Sequence, residues 1–177
     1  MDKLVLGENL NYQIYIGDIF LSEEISQLCK HKFERVVIIT DDIVGLLYGT
    51  KLEKYLLSCN INACIITIPS GERSKSRQMK AHIENKLFEL NCGRDSCVIA
   101  LGGGVITDIA GFVAATYCRG VPAIYIPTTL LAMVDAAIGG KTGINTSYGK
   151  NLIGTFTQPK AVFIDINVLS SLPESEY

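Results

Sequence analysis

A glycine-rich corner followed by a carboxylate is the first stretch of this sequence that could do chemistry. Gly102-Gly103-Gly104 follows a short apolar run and precedes apolar residues at helical spacing, which indicates strand, tight turn and helix. Residues without side chains let the backbone approach a ligand closely, and the amides at a helix start attract anions. We therefore expect a pyrophosphate or similar anion here, with Asp108 in the first helical turn accepting from a ribose hydroxyl. The alternative is a turn selected only for tight strand–helix packing.

The run Gly139-Gly140-Lys141-Thr142 ends like a P-loop, but the rest of that motif is missing. Asp135 stands where its first glycine belongs, and the preceding residues are helix-like where the motif needs a strand. The sequence therefore disfavours an NTP-hydrolysing function.

Residues 139–151 are instead predicted to form a long functional loop that binds an anion. Lys141, Lys150 and Asn151 suit a phosphate or carboxylate clamp, although both lysines could simply be solvated. Residues 119–160 carry a net charge of +3, whereas the remainder of the chain carries −5. A local cationic patch in an acidic protein favours a small anionic ligand.

Asp135 lies in an otherwise apolar piece, residues 130–138, where an ionised carboxylate is costly unless it has a partner. It is therefore a candidate site residue. The alternative is a structural ion pair with Lys141.

Composition excludes several classes of protein. The 177 residues are 48% hydrophobic, enough for the core of about one domain, and a net charge of −2 argues against a nucleic-acid surface. Six cysteines without a C-x-x-C pair indicate reduced thiols and a cytoplasmic protein. We expect neither a signal peptide nor a membrane span. His31 and His82 stand alone, so no complete metal site is expected.

Alternating apolar runs and amphipathic segments predict an α/β domain with a mostly parallel sheet. The predicted strands are residues 35–40, 63–68, 98–101, 123–126 and 161–165, and residues 4–6 and 12–16 are predicted to form an amino-terminal β-hairpin. Such sheets bind ligands at the carboxyl ends of their strands. The corners Asp41-Asp42, Gly71-Glu72, Gly102-Gly103-Gly104 and Thr128-Thr129 each follow a strand, so we expect them to meet along one edge.

Seven motifs carry a resemblance to a known family. They are SGERSK (70–75), ALGGGVITD (100–108), RGVP (119–122), PTTLLA (127–132), VDAAIGGKTGIN (134–145), GKNLIG (149–154) and QPKAV (158–162). From about Val36 onward the chain resembles the amino-terminal part of the 3-dehydroquinate synthases, in the sugar-phosphate cyclase group. The resemblance implies a Rossmann-like sheet with helices on both faces. It also implies a lyase of the shikimate pathway that uses NAD and a divalent metal, Zn or Co, to convert 3-deoxy-D-arabino-heptulosonate 7-phosphate to 3-dehydroquinate and phosphate.

The resemblance also implies roles for individual residues. NAD would be bound by Asp41, Glu72, Lys75, Gly103, Gly104, Val105, Ile106, Thr107, Asp108, Thr128, Thr129, Asp135, Lys141 and Lys150, with Val168, Leu169, Ser170 and Ser171 closing over it. Asp135 would also lie beside the substrate, whose anionic groups Lys141, Lys150 and Asn151 would hold. Arg119 would reach into the site of a neighbouring subunit, which implies a homodimer.

The sequence departs from the family pattern in two places. Ile43 stands where the family often has an asparagine, which puts one adenosine-ribose contact in doubt. The helical second domain, with its metal-binding glutamate and two histidines, would begin after Tyr177. We therefore expect residues 1–177 to be the NAD-binding domain alone, inactive in isolation.

Three other functions stay open at this point. A 2-deoxy-scyllo-inosose synthase would use glucose 6-phosphate. A polyol dehydrogenase of the glycerol dehydrogenase type shares the G-G-G-x-x-x-D corner but lacks the G-G-K-T-G-x-N stretch. A non-catalytic nucleotide-binding or dimerisation module would bind without turnover.

Overall fold

Apolar runs form the strands of the main sheet in the computed structural model, which describes residues 2–4, 12–18 and 20–173. The strands are β1 (Asp2–Leu4), β2 (Gln13–Ile16), β3 (Arg35–Asp41), β4 (Ala63–Ile68), β5 (Ser96–Gly102), β6 (Ala123–Pro127), β7 (Lys141–Thr146), β8 (Gly149–Phe156) and β9 (Ala161–Ile164). The main sheet has the order β1-β2-β9-β6-β5-β3-β4. Its strands are parallel except for β1, which runs antiparallel to β2.

The helices cover both faces of this sheet. They are α1 (Glu23–Cys29), α2 (Asp42–Val44), α3 (Thr50–Ser58), α4 (Arg77–Glu89) and α5 (Gly104–Thr116). A π-helical segment, Gly45–Gly49, joins α2 to α3, and a second one spans Ala132–Ala136. Short 3₁₀ segments are Glu72–Ser74, Tyr117–Arg119 and Ile166–Ser171.

Two buried apolar clusters lie on opposite faces of the sheet. Ile83 of α4 and Ile109 of α5 belong to one cluster, with the side chains of one sheet face. Ile25 of α1 and Leu52 of α3 belong to the other. Every residue of β5 and β6 is buried, as a strand covered on both faces requires. The predicted Rossmann-like α/β fold with helices on both faces is confirmed.

The predicted amino-terminal hairpin is confirmed as an antiparallel pairing, and the described part of its first strand is Asp2–Leu4. Asp2 lies opposite Ile16, and Leu4 lies opposite Ile14. Val5, Leu6 and the predicted turn residues lie outside the described part of the chain. Within residues 2–4, 12–18 and 20–173, no helix has the length and apolar character of a membrane span.

The prediction of a long loop over residues 139–151 is wrong, because β7 and β8 form an antiparallel hairpin there. Gly143 lies opposite Gly154, and the two backbones approach so closely that side chains do not fit. A Cβ on Gly154 would lie 1.9 Å from the Thr142 carbonyl oxygen. These glycines therefore mark close contact between strands, which sequence composition alone does not distinguish from a loop.

We expect Gly154→Ala to lower the free energy of unfolding by about 1–3 kcal/mol, because the added methyl group must displace the backbone of β7. Gly139→Ala is a matched control, since a Cβ there would lie 3.6 Å from the Asp135 carbonyl oxygen, an ordinary contact. Urea unfolding of the three proteins measures the difference. Equal midpoints for Gly154→Ala and the unsubstituted chain would contradict the contact.

Candidate functional site

The strand order of the sheet has a topological switch point between β3 and β5. These strands are neighbours, but the chain leaves β3 toward β4 on one side and leaves β5 toward β6 on the other. In open α/β sheets, the crevice at the carboxyl ends of two such strands is the usual ligand site. Asp41 ends β3 and Gly102 ends β5, so both lie at this crevice.

The glycine corner provides backbone donors at the mouth of the crevice. Gly103 precedes α5, and no described side chain caps this helix start. The first amides of a helix lack partners inside it, so those of Gly104, Val105 and Ile106 are free to bind an anion. Gly103 also packs against Thr129, whose Cγ2 would lie 3.0 Å from an added Cβ.

Two residues of the predicted cofactor set, Ile106 and Thr107, have side chains that point into the core. The Thr107 amide donates to the Gly103 carbonyl at 3.0 Å, and its hydroxyl donates to the Gly104 carbonyl at 3.1 Å. Ile106 can therefore offer only its backbone N–H, and the described contacts of Thr107 leave it no donor for a ligand.

Asp108 lies in the second turn of α5, since that helix begins at Gly104, so its predicted place in the first turn is wrong. Its Oδ2 accepts from Lys75 Nζ at 2.5 Å, and the Lys75 side chain is only 5% exposed. Burial raises the pKa of the Asp108 carboxyl above its ordinary value, despite the opposing effect of Lys75. The charges of Glu72 and Asp135 raise this pKa further.

Asp41 lies across the crevice from the glycine corner and caps the short helix α2. Its Oδ1 accepts from the backbone amides of Ile43 and Val44 at 3.0 and 2.8 Å. Burial raises the pKa of the Asp41 carboxyl, and the two amide donors oppose that effect. Asp42 accepts from the Ser70 amide at 2.9 Å, which ties the end of β3 to the segment after β4.

Thr128 and Thr129 bring the end of β6 beside the glycine corner. The Thr128 amide donates to the Gly102 carbonyl at 3.0 Å. The Thr129 hydroxyl accepts from the Ala132 amide at 3.3 Å, so it begins the helical segment that carries Asp135.

Asp135 is exposed, so its carboxylate does not carry the desolvation cost that the apolar character of residues 130–138 suggested. The π-helical segment turns Ala132 and Met133 inward and leaves Asp135 on the surface. The alternative ion pair with Lys141 is not among the salt bridges of the described residues. Ala136, the neighbour of Asp135, packs against the start of α5, since a Cβ on Gly104 would lie 3.7 Å from the Ala136 Cβ.

The hairpin provides the cationic wall of the site. Lys141, Lys150 and Asn151 are all exposed. Lys150 Nζ lies 3.8 Å from Glu72 Oε1, across a cleft of about 1060 Å³ between the hairpin and the start of α4. Asn145 lines the same cleft and donates from Nδ2 to Glu72 Oε1 at 2.7 Å. No role for Asn145 was predicted from sequence, where its only signal was its place in the GGKTGIN motif.

The segment after β9 lies at the same edge of the sheet. Val168 is buried, whereas Ser170 and Ser171 are exposed and Leu169 is half-buried. The Tyr48 hydroxyl donates to Ser171 Oγ at 2.8 Å, which holds this segment against the π-helical turn that follows β3.

Arg119 lies apart from all these residues. It follows the carboxyl end of α5, whose thirteen residues span about 20 Å from the glycine corner. Its φ of 71° and that of Cys118, 51°, are left-handed. Such backbone conformations cost free energy in non-glycine residues and concentrate at functional positions. The structure does not bring Arg119 to the site of its own chain.

The described residues contain no group of three or more His, Cys, Asp or Glu side chains that could hold a metal ion. All six cysteines are free. Burial raises the pKa of the Cys64 thiol to about 11 and that of Cys29 to about 12, so both are protonated at neutral pH.

Comparison with known proteins identifies relatives of the whole chain. The family model described as 3-dehydroquinate synthase N-terminal matches residues 65–177. A 3-dehydroquinate synthase of Dehalococcoides mccartyi is 45% identical over 97% of this chain and 49% of its own length. One of Pseudoalteromonas translucida is 47% identical over 98% of this chain and 49% of its own length. The chain therefore spans about half the length of these relatives.

Solved structures of sugar-phosphate cyclases share the fold. A 2-deoxy-scyllo-inosose synthase complexed with carbaglucose-6-phosphate, NAD+ and Co2+ superposes with a TM-score of 0.86, at 26% identity over 93% of this chain and 46% of that one. A 2-epi-5-epi-valiolone synthase from Streptomyces hygroscopicus, with NAD+ and Zn2+ bound, gives 0.85 at 29% identity, over 98% of this chain and 48% of that one. The family match and these likenesses agree with the site geometry: the chain belongs to the 3-dehydroquinate synthase family.

Proposed function

We propose that this chain is the NAD-binding part of an enzyme that converts 3-deoxy-D-arabino-heptulosonate 7-phosphate to 3-dehydroquinate and phosphate, in the shikimate route to aromatic amino acids. The observation that carries the proposal is the link between the uncapped start of α5 at the strand crossover and the cleft under the cationic hairpin. Asp108 of α5 is ion-paired with Lys75, which lines that cleft opposite Lys150. The amides suit a pyrophosphate, and the hairpin suits an acidic sugar phosphate.

The residues at the crevice fit NAD. The amides of Gly104, Val105 and Ile106 at the uncapped start of α5 would hold the pyrophosphate, and Gly103 has no side chain to obstruct it. Asp41, Glu72 and Asp108 offer carboxylate oxygens to ribose hydroxyls, and Lys75 compensates the charge of Asp108. Thr128, Thr129 and the segment Ile166–Ser171 complete the same edge. When bound, NAD supplies a hydride acceptor that turns a ring hydroxyl into a ketone, acidifies the neighbouring C–H and is then regenerated.

The hairpin and Asp135 would act on the substrate. Lys141 and Lys150 would neutralise the phosphate and the carboxylate of the substrate, and the Asn151 side chain would orient one of these two anionic groups. Asp135 is exposed on the segment that packs against the start of α5, where it would contact the nicotinamide and the reacting ring. The related cyclases bind Co2+ or Zn2+. The described residues hold no cluster that fits such an ion, and the roles of these side chains involve none.

The proposal includes a homodimer and a second domain. Arg119 lies about 20 Å from the glycine corner along α5, too far to act in its own site. It would therefore serve the site of a neighbouring copy. Residues 1–177 would be one NAD-binding domain, with the metal ligands supplied by a second domain. A cytoplasmic location is part of the proposal, since all six thiols are unpaired.

A second cyclase activity is the main competitor. The chain's fold is close to that of a 2-deoxy-scyllo-inosose synthase, but identity to that protein is 26%, against 45% to a 3-dehydroquinate synthase. The higher identity therefore favours 3-dehydroquinate synthase activity. A comparison of the two substrates would distinguish the two activities.

Calorimetric titration of NAD into the 177-residue chain tests the proposal. We expect one NAD per chain, followed by binding of 3-deoxy-D-arabino-heptulosonate 7-phosphate in preference to glucose 6-phosphate, and no phosphate release. Absence of NAD binding would refute the proposal. Preference for glucose 6-phosphate would favour the other cyclase, and a steady rise in NADH absorbance with glycerol would indicate a polyol dehydrogenase. Phosphate release by the chain alone would show that no second domain is needed.

A further inference from the structure

Asn145 makes three hydrogen bonds, of which two cross the cleft to the opposite wall and one stays within the hairpin. Its Nδ2 donates to Glu72 Oε1 at 2.7 Å, and its backbone amide donates to the Lys75 carbonyl at 2.9 Å. Its Oδ1 accepts from the Asn151 amide at 2.9 Å. Because a carboxylate only accepts and a backbone N–H only donates, these partners fix which side-chain atom is oxygen and which is nitrogen.

A bulge in the hairpin explains why Asn145 can make these contacts. Ile144 pairs with Ile153 and Thr146 pairs with Gly149, so Asn145 alone faces three residues of β8. Asn151, among those three, has a left-handed backbone with a φ of 57°. Its amide has left the regular ladder, and the Asn145 side chain replaces the missing acceptor. Bulges of this kind redirect side chains next to functional sites.

The bulge also sets the direction of the Lys150 side chain. Lys150 precedes Asn151 and places Nζ 3.8 Å from the same Glu72 oxygen that accepts from Asn145. Glu72 thus receives one neutral and one cationic partner from the hairpin. Among the residues that the structure describes, removing Asn145 would leave this carboxylate with the distant contact to Lys150, whose side chain is 75% exposed.

We propose that Asn145 is the positioning residue that fixes Lys150 and Asn151 on the hairpin against Glu72 and Lys75 on the opposite wall. The functional part rests on the proposed function, in which Glu72 and Lys75 hold the cofactor and Lys150 and Asn151 hold the substrate. Asn145 itself touches neither ligand. It sets the distance between the two binding walls.

Hydrogen exchange of the unliganded chain tests the positioning directly. Asn145→Leu removes both side-chain bonds, and we expect the protection of the residue 145 and Asn151 backbone amides to fall by about fivefold or more. Asn145→Asp places a carboxylate against Glu72 and should lower protection at residue 145. Combining Asn145→Asp with Glu72→Gln exchanges the two groups and should restore it, because the amide of residue 72 can then donate to the carboxylate of residue 145. The matched control is Asn62→Asp, an exposed position at the amino end of β4.

NAD titration of the same variants tests the functional part. We expect Asn145→Asp to weaken NAD binding by about tenfold and Asn62→Asp to leave it unchanged. The inference is overturned if Asn145→Leu leaves both amides as protected as before, if the exchanged pair gives no recovery, or if Asn145→Asp lowers the unfolding midpoint without changing NAD affinity. If the unsubstituted chain binds no NAD, the proposed function fails, and the exchange measurements still decide the role of Asn145.

Discussion

Replacing Gly104 with aspartate is expected to weaken NAD binding by about a hundredfold or more while leaving the fold intact. Gly104 is the first residue of α5, and a Cβ there would lie 3.7 Å from the Ala136 Cβ, so a side chain fits. A carboxylate at this position interacts favourably with the helix dipole. It would occupy the same amides that the pyrophosphate needs and would repel it.

Gly104→Ala is the matched control, because it adds the Cβ without the charge. Calorimetry with NAD and urea unfolding, applied to both variants, separate binding from stability. We expect near-native unfolding midpoints for both proteins and a large loss of affinity only for Gly104→Asp. Equal NAD affinities of the two variants would show that the pyrophosphate does not bind at this helix start.

Replacing Lys75 with methionine is expected to destabilise the chain by about 3 kcal/mol, because it leaves the half-buried Asp108 carboxylate without its cation. Adding Asp108→Leu should recover most of this loss, since apolar side chains of similar size replace buried ion pairs at little cost. Urea unfolding of the two single variants and the double variant gives the coupling between the residues. Additive effects would contradict the ion pair.

The same variants should change how stability depends on pH. The Asp108 pKa is raised in the folded chain, so the native state binds this proton more tightly than the unfolded state. Its stabilising contribution is therefore complete below the ordinary carboxyl pKa and is lost as the pH rises through the raised value. Lys75→Met removes the group that lowers this pKa, so the unfolding free energy should fall more steeply as the pH rises above the ordinary carboxyl pKa. Adding Asp108→Asn should abolish the extra slope, whereas an unchanged slope would assign it to another group.

The central sheet could be predicted from sequence because its strands are uninterrupted apolar runs. Val36 to Ile39 and Val98 to Leu101 are buried on both faces, and no other element accommodates such short runs as readily. The meeting of Asp41, the glycine corner and Thr128 followed from the same pattern, since parallel strands end at one edge. Local sequence therefore determined which corners face the crevice.

Contacts between distant segments could not be predicted in the same way. Gly143 pairs with Gly154 because the backbones of two strands lie close together. In the sequence alone, these glycines are indistinguishable from the glycines of a loop. The orientation of Asp135 depends on a π-helical segment, which shifts the side chains relative to an α-helix. The bond between Asn145 and Glu72 joins residues 73 positions apart, so no local pattern reports it.

Helix α5 has a consequence for the assembled enzyme. Its amino end presents the amides proposed to bind the pyrophosphate, and its carboxyl end leads into Arg119. Residues between them, such as Ile109, Ala110 and Val113, are fully buried. Tightly packed interiors transmit displacement rather than absorbing it. In the proposed dimer, a shift of this helix along its axis would move two groups at once. These are the amides that bind the cofactor of one copy and the Arg119 guanidinium that serves the site of the other. The two catalytic centres would then communicate, and occupancy of one would change the affinity of the other.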